Sequence, residues 1–332
     1  MNRPRVLVAR AIFPQVVDRL RLHFDVTDNP GDVIHDKAGL SALLQGHQGL
    51  IATASERIDA ELLQAHPQLR AVCNMAVGYN NIDLPACTAR GVMATNTPDV
   101  LTETTADFGF ALMMAAARRI TESERFLRRG EWTRWAYDMF TGADVHGATL
   151  GILGMGRIGQ GIARRGALGF GMRVIYHNRS RLPVEQEAPI GARYVDKPTL
   201  LREADHLVLV LPYSADSHHA IGAAELAQMK PTATLTNVAR GGIVDDAALA
   251  QALKDRRIAA AGLDVFEGEP QLHPALLDLP NVVLTPHIAS ASVTTRLAMA
   301  NLAADNLIAA LGAGPQAGRP PSLLNPQVLA AR

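Results

Sequence analysis

Short apolar runs alternate along this chain with segments whose apolar residues recur at helical spacing. Residues 6–9, 24–27, 49–53, 70–74 and 92–96 read as strands, and 15–23, 37–45, 59–65 and 82–89 as the helices between them. Such alternation predicts a parallel sheet covered by helices on both faces. Between 102 and 129, alanine and leucine gather on one face, with Arg118, Arg119, Glu122 and Arg125 elsewhere. One long helix is expected there, capped by Asp99 or Thr102, ended by Gly130 and spacing two domains apart. Residues 131–145 carry both tryptophans, Trp132 and Trp135, in a polar setting that calls for a covering surface. The alternation then resumes, with strands expected at 149–153, 173–176, 192–195, 206–211, 234–238, 259–265 and 282–285. Asp245-Asp246 suits the start of a helix at 245–254. A long amphipathic helix is expected at 293–311, and the Gly/Pro-rich stretch 312–321 is expected to end ordered packing.

Composition narrows the class. A length of 332 residues admits two domains, and 48% hydrophobic against 19% charged residues argues for a globular chain over a disordered one. The 32 basic and 32 acidic residues cancel, so the basic field of a nucleic-acid binder is missing and no nucleic-acid partner is expected. Two cysteines, Cys73 and Cys87, form no CxxC pair; neither a disulfide framework nor a metal site is expected. The apolar run 6–9 is cut by Arg10, too short for a signal peptide, and the longest run, 108–117, is closed by Arg118 and Arg119, too short for a bilayer. A cytoplasmic protein with no membrane partner is expected.

The chemistry starts at Gly154-Met155-Gly156-Arg157-Ile158-Gly159, which lies between a strand pattern and a helix pattern. In that context Gly154 permits a tight turn, Gly156 lets backbone amides approach a pyrophosphate, and Gly159 lets helix pack on strand. The helix N-terminus then offers unpaired N–H groups to an anion. A dinucleotide is therefore expected at this turn. Sites for NAD place an acid about 20 residues further on, for the ribose 2′-OH. Here that place holds His177, followed by Asn178, Arg179, Ser180 and Arg181. Two arginines and a serine would hold a 2′-phosphate that a carboxylate would repel, so NADPH is expected, with NAD as the alternative.

Three later stretches supply groups suited to hydride transfer onto a 2-keto acid. Residues 237–242 put Arg240 at the end of one strand, 262–270 put Asp264, Glu267 and Glu269 after a second, and 285–290 put His287 after a third. Such a reduction needs a cation for the carboxylate and carbonyl and a proton donor for the forming alkoxide. His287 can donate near neutral pH if a carboxylate such as Glu269 supports its charged form.

These motifs, together with Val77-Gly78-Tyr79-Asn80-Asn81-Ile82-Asp83, resemble those of the D-isomer-specific 2-hydroxyacid dehydrogenases, in the same order and over essentially the whole chain. The resemblance implies that Arg240 binds substrate and aids catalysis, that Glu269 tunes the histidine, and that His287 is the acid/base. It implies that the backbone N–H groups of Val77 and Gly78 hold the substrate carboxylate, with Ser290 nearby. Thr105, Leu211, Pro212, Val238, Ala239 and Asp264 match cofactor-contacting positions. The implied fold is α/β, with two Rossmann-like doubly wound parallel-sheet domains and the active site in the cleft between them. Residues 1–99 plus 290–332 would form the substrate-binding domain and 100–289 the NADP-binding one.

Within the family the chain is most similar to NADPH-dependent glyoxylate/hydroxypyruvate and 2-ketogluconate reductases, which implies a small 2-keto acid as substrate. A homodimer is expected, joined through 102–129 and the arm after it, with Trp135 reaching the neighbouring subunit's substrate pocket. An NAD-linked relative such as a phosphoglycerate dehydrogenase is the main alternative, disfavoured by the lack of an acid at His177. A non-catalytic dinucleotide-sensing corepressor is another, disfavoured by the lack of a docking tail or basic patch.

Overall fold

The computed structural model describes residues 3–330 and divides into two compact units, Met1–Leu101 with Ser292–Arg332, and Thr102–Ala291. In the first unit five strands, β1 (Arg5–Val8), β2 (Asp25–Thr27), β3 (Gly49–Ala52), β4 (Ala71–Asn74) and β5 (Met93–Thr95), form a parallel sheet in the order β2-β1-β3-β4-β5. Alternate residues of one strand feed opposite cores. Val6 and Val8 face the layer completed by the long helix Val293–Ala310, and Leu7 faces the layer holding Leu40, Leu44, Leu62 and Leu63. Both faces are covered, which is why these strands read as unbroken apolar runs.

The second unit is a seven-stranded parallel sheet. Its strands are β6 (Thr149–Leu153), β7 (Arg173–His177), β8 (Arg193–Tyr194), β9 (His206–Leu209), β10 (Thr234–Asn237), β11 (Ala260–Leu263) and β12 (Val282–Leu284), in the order β12-β11-β10-β9-β6-β7-β8. The order reverses between β6 and β9, so a crevice opens beyond their carboxyl ends, where ligands of doubly wound sheets bind. Strands and helices thus alternate as expected, although β9 and β11 are shorter than the apolar runs containing them.

Two expectations are corrected. The helix foreseen over 102–129 is two helices, Thr102–Ala117 and Ile120–Arg128, broken where Arg119 takes a left-handed φ of 54°. The incoming chain causes the break: the Ala143 N–H donates to the Ala117 carbonyl at 2.9 Å, and a Cβ on Gly142 would lie 2.3 Å from that same oxygen. Arg119 turns to bind both carboxylate oxygens of Glu122 at 2.8 Å and to cover the Phe140 ring. Nor is the first of these helices a spacer, since Phe110, Leu112 and Met113 are buried in the core of the second unit.

The second correction is at the C-terminal end, where order continues past residue 321. Leu323 pairs with Thr95 along the edge of β5, the buried Asn325 side chain bonds the backbone of Ala94 and Val92, and Val328 joins the core. Among the described residues no helix is long and apolar enough to cross a membrane.

Candidate active site

The glycine turn leaves β6 as its sequence requires. Gly154 has φ 100°, and a Cβ there would fall 2.6 Å from the Leu211 nitrogen. A Cβ on Gly159 would meet the Gly154 carbonyl oxygen at 2.5 Å, so turn and helix close on each other only with glycine at both positions. Gly156 differs: a Cβ there meets nothing within 4 Å. Its front is open, directly before the N-terminus of the helix Arg157–Arg164, with Arg157 exposed and Ile158 half-buried. An open cradle before a helix N-terminus suits a pyrophosphate. Thr105 adds a buried hydroxyl with no partner among the described residues.

The turn after β7 is anchored piece by piece. His177 bonds the Val195 carbonyl at 2.9 Å through Nδ1 and stacks on Tyr194. Asn178 Oδ1 accepts the Met155 N–H at 2.7 Å, so this side chain holds the glycine turn itself. Arg181 forks onto Glu187, with bonds of 3.0 and 2.7 Å, and the Tyr176 hydroxyl donates to that carboxylate at 2.6 Å. These bonds hold Glu187 down at a pKa of about 2. Arg179 and Ser180 are exposed and carry no hydrogen bond or ion pair among the described residues.

Leu211 and the exposed Pro212 follow β9, and the buried Val238 and Ala239 follow β10. Half-buried Arg240 comes next, its guanidinium donating to the Ala239 carbonyl at 2.7 Å. Burial pulls its pKa below the usual value, against the opposing charge of Glu269. Beyond β12, His287 Nδ1 lies 2.8 Å from Glu269 Oε1, both side chains partly exposed. Burial raises the pKa of Glu269, but the bond and charge of His287, the Phe266 N–H and the charge of Arg240 bring it below the ordinary carboxylate range. The pair therefore holds a carboxylate against Nδ1 and leaves Nε2 as the ring's other proton-carrying atom.

The loop that carries His287 is gripped by Asp264, which is fully buried. Its Oδ1 accepts from the Thr285 hydroxyl at 2.7 Å and the Ile288 N–H at 2.8 Å, and its Oδ2 from the Ala289 N–H at 2.8 Å. His287 itself has φ 54°, an uncommon conformation for a side-chain-bearing residue, and sits between these bonds. Ser290, partly buried, follows. The sequence marks Asp264 only as a strand-end acid; its grip on residues more than twenty positions away has no local signal.

Val77 and Gly78 belong to the first unit, on the loop after β4. Their carbonyls accept from Asn96 at 2.8 Å and Asn74 at 2.9 Å, while their own N–H groups have no partner among the described residues. Trp135 is 71% and Tyr137 90% exposed, edge to face, on the arm after the Ile120–Arg128 helix.

A family profile described as D-isomer specific 2-hydroxyacid dehydrogenase, NAD binding domain, matches residues 110–289. The chain is 46% identical to a glyoxylate reductase of Thermococcus gammatolerans over 98% of its own length and 97% of the relative's. The crystal structure of a glyoxylate reductase from Paecilomyes thermophila is similar at a TM-score of 0.87 and 33% identity, covering 98% of this chain and 100% of that one. That of an NADPH-dependent glyoxylate/hydroxypyruvate reductase from Sinorhizobium meliloti, in complex with NADP and malonate, is similar at 0.86 and 37%, covering 97% of each chain.

Proposed function

The chain belongs to the D-isomer specific 2-hydroxyacid dehydrogenase family, and on that premise we propose that it reduces a small 2-keto acid to the D-2-hydroxy acid with NADPH. Glyoxylate, hydroxypyruvate and 2-ketogluconate are the substrates proposed. The observation that carries the reading is the His287–Glu269 pair at 2.8 Å with the charge of Arg240 acting on the same carboxylate. A cation, a supported proton donor and no further charge are what keto-acid reduction requires.

When bound, the nicotinamide dinucleotide supplies the hydride. Gly156 and the helix N-terminus would receive its pyrophosphate, with Thr105 and Asp264 among its other contacts. Arg179 and Ser180 would hold the 2′-phosphate, because they are the members of the 177–181 turn whose side chains are uncommitted. Arg240 orients the substrate carboxylate and carbonyl. His287 gives the proton from Nε2 to the carbonyl oxygen as it becomes an alkoxide, and Glu269 stabilises the charged ring before that transfer. The unit containing Val77 and Gly78 is proposed as the substrate-binding one, those two N–H groups and Ser290 serving the substrate.

The exposed Trp135 supports a homodimer. Large aromatics in a polar arm need a surface, and a twofold partner offers one. If this arm serves the neighbouring subunit's substrate site, Trp135→Ala alters KM for the keto acid and leaves KM for NADPH unchanged. Mixed dimers with His287→Ala then restore wild-type substrate affinity at one site. No recovery in verified mixed dimers removes the trans role.

The test of the activity itself is turnover of NADPH and NADH with a panel of 2-keto acids, followed by chiral analysis of the product. Binding of NADPH without turnover of any of them would overturn the reading.

A further inference from the structure

His218, His219 and Glu267 bring ligand-type atoms within 4.8 Å of one another, beside the turns that carry Arg240 and Glu269. The donor set would suit a zinc-like ion. The ring geometry argues otherwise. The two imidazoles stack at 3.9 Å between centroids with planes 22° apart, so their in-plane lone pairs run side by side instead of converging on one point. The cluster has a different use.

His219 joins two chain segments. Its N–H donates to the Gly242 carbonyl at 2.8 Å, and its Nε2 lies 2.9 Å from Glu267 Oε2. Gly242 is two residues beyond Arg240, and Glu267 is two residues before Glu269. The two turns already touch, since a Cβ on Gly241 would lie 1.7 Å from the Phe266 carbonyl oxygen, a contact that admits only glycine. The Glu267 N–H donates to Asp246 Oδ2 at 3.0 Å. His219 keeps a left-handed φ of 49°, and its ring is backed by His218, which in turn meets the Tyr213 hydroxyl at 3.2 Å. A non-glycine residue in that conformation costs stability and persists where surrounding contacts over-determine it.

We propose that His219 is a positioning residue for the reaction: through Gly242 and Glu267 it fixes the turn bearing Arg240 against the turn bearing Glu269. Arg240 must meet the substrate where the His287–Glu269 pair delivers its proton, and a misplacement of about 1 Å at such a site costs up to roughly a hundredfold in rate. The inference rests on the roles proposed above for Arg240 and Glu269.

The test compares His219→Asn with wild type. Asparagine tolerates the left-handed backbone but is too short to reach Glu267. The expected result is a loss of about tenfold in kcat, part of that range, with Tm and KM for NADPH unchanged. Glu267→Gln, which keeps an acceptor for the ring, should retain most of the activity, whereas Glu267→Ala should match His219→Asn. The double variant His219→Asn/Glu267→Ala should lose no more than either single one, because both remove the same link. A kcat within twofold of wild type, or additive losses that follow a falling Tm, would overturn the inference. Arg240→Ala and His287→Ala run beside them as controls: if those retain turnover, it is the underlying catalytic reading that fails instead.

Discussion

Cofactor choice is the part of the proposal most open to a quantitative test, because the five residues of the turn after β7 have distinct engagements. Arg181 is already forked onto Glu187, Asn178 is spent on the Met155 N–H, and Arg179 is uncommitted. Replacing Arg179 by alanine therefore removes a charge-assisted bond that forms only with a 2′-phosphate. Such bonds contribute about 1.5–3 kcal/mol, and the exposure of Arg179 puts it at the screened, lower end. About 1.5 kcal/mol is roughly a tenfold loss in kcat/KM for NADPH, with NADH unaffected. Arg181→Ala should leave the NADPH-to-NADH ratio near wild type. Asn178→Ala loses a neutral bond of about 1 kcal/mol that holds the glycine turn, so both cofactors should suffer alike, by about fivefold. The assay is initial-rate kinetics with each cofactor at two ionic strengths, and the Arg179 effect should shrink at the higher one. Equal losses for NADPH and NADH in Arg179→Ala, or a larger selective loss in Arg181→Ala, would refute the assignment.

Three further outcomes are expected. Gly156→Ala should fold with an unchanged Tm, since its Cβ enters open space at φ −78°, yet bind NADPH and NADH much more weakly by fluorescence titration; normal binding would remove the pyrophosphate from this turn. His287→Ala should nearly abolish reduction while NADPH binding stays close to wild type, and Glu269→Gln should lower kcat with NADPH binding unchanged, because the ring loses the carboxylate held 2.8 Å from its Nδ1; an unchanged kcat would make Glu269 structural. His47, His66 and His206 are buried, and desolvation foremost lowers their pKa. Unfolded histidines take up a proton near about pH 6.5 while these resist, so stability should hold above that value and fall as pH drops below it. Asp32 and Glu187, held at about 2, give up their contribution only in the more acidic window below the ordinary carboxylate range. A Tm flat from pH 7 to about pH 5 would contradict the histidine account.

The alternation of strands and helices was legible because both sheets are covered on both faces, so each strand is a short apolar run with turn residues at its ends. The glycine turn was legible because steric need selects the residue at Gly154 and Gly159. What escaped reading is set by contacts distant in sequence. The break at Arg119 depends on residues 142–143 arriving at the Ala117 carbonyl, which nothing local to 117–120 announces. The order after residue 321 depends on an isolated bridge at Leu323, on bonds of Ser322 and the buried Asn325 to distant residues, and on the burial of Val328, a pairing too short to show a period. Asp264, Asn178 and His219 look in sequence like an acid, a turn residue and half of a histidine pair. Each holds backbone or a carboxylate more than twenty positions away.

The seven strands of the second unit are all parallel, so their carboxyl ends line one edge in the fixed order β7, β6, β9, β10, β11, β12. The proposed roles are spread along that edge, with Arg179 after β7, the glycine turn after β6, Arg240 after β10, Asp264 after β11 and His287 after β12. Neighbouring strands stand about 4.8 Å apart, so the 2′-phosphate group and the proton donor are separated by five intervals, about 24 Å. At that distance Coulomb coupling through screened solvent is negligible and no side chain spans the gap. Cofactor choice can therefore change at the β7 end without disturbing proton transfer at the β12 end. The β10, β11 and β12 ends are neighbours and share His219, Glu269 and Asp264 as cross-links, which makes a change at any one of them felt at the others.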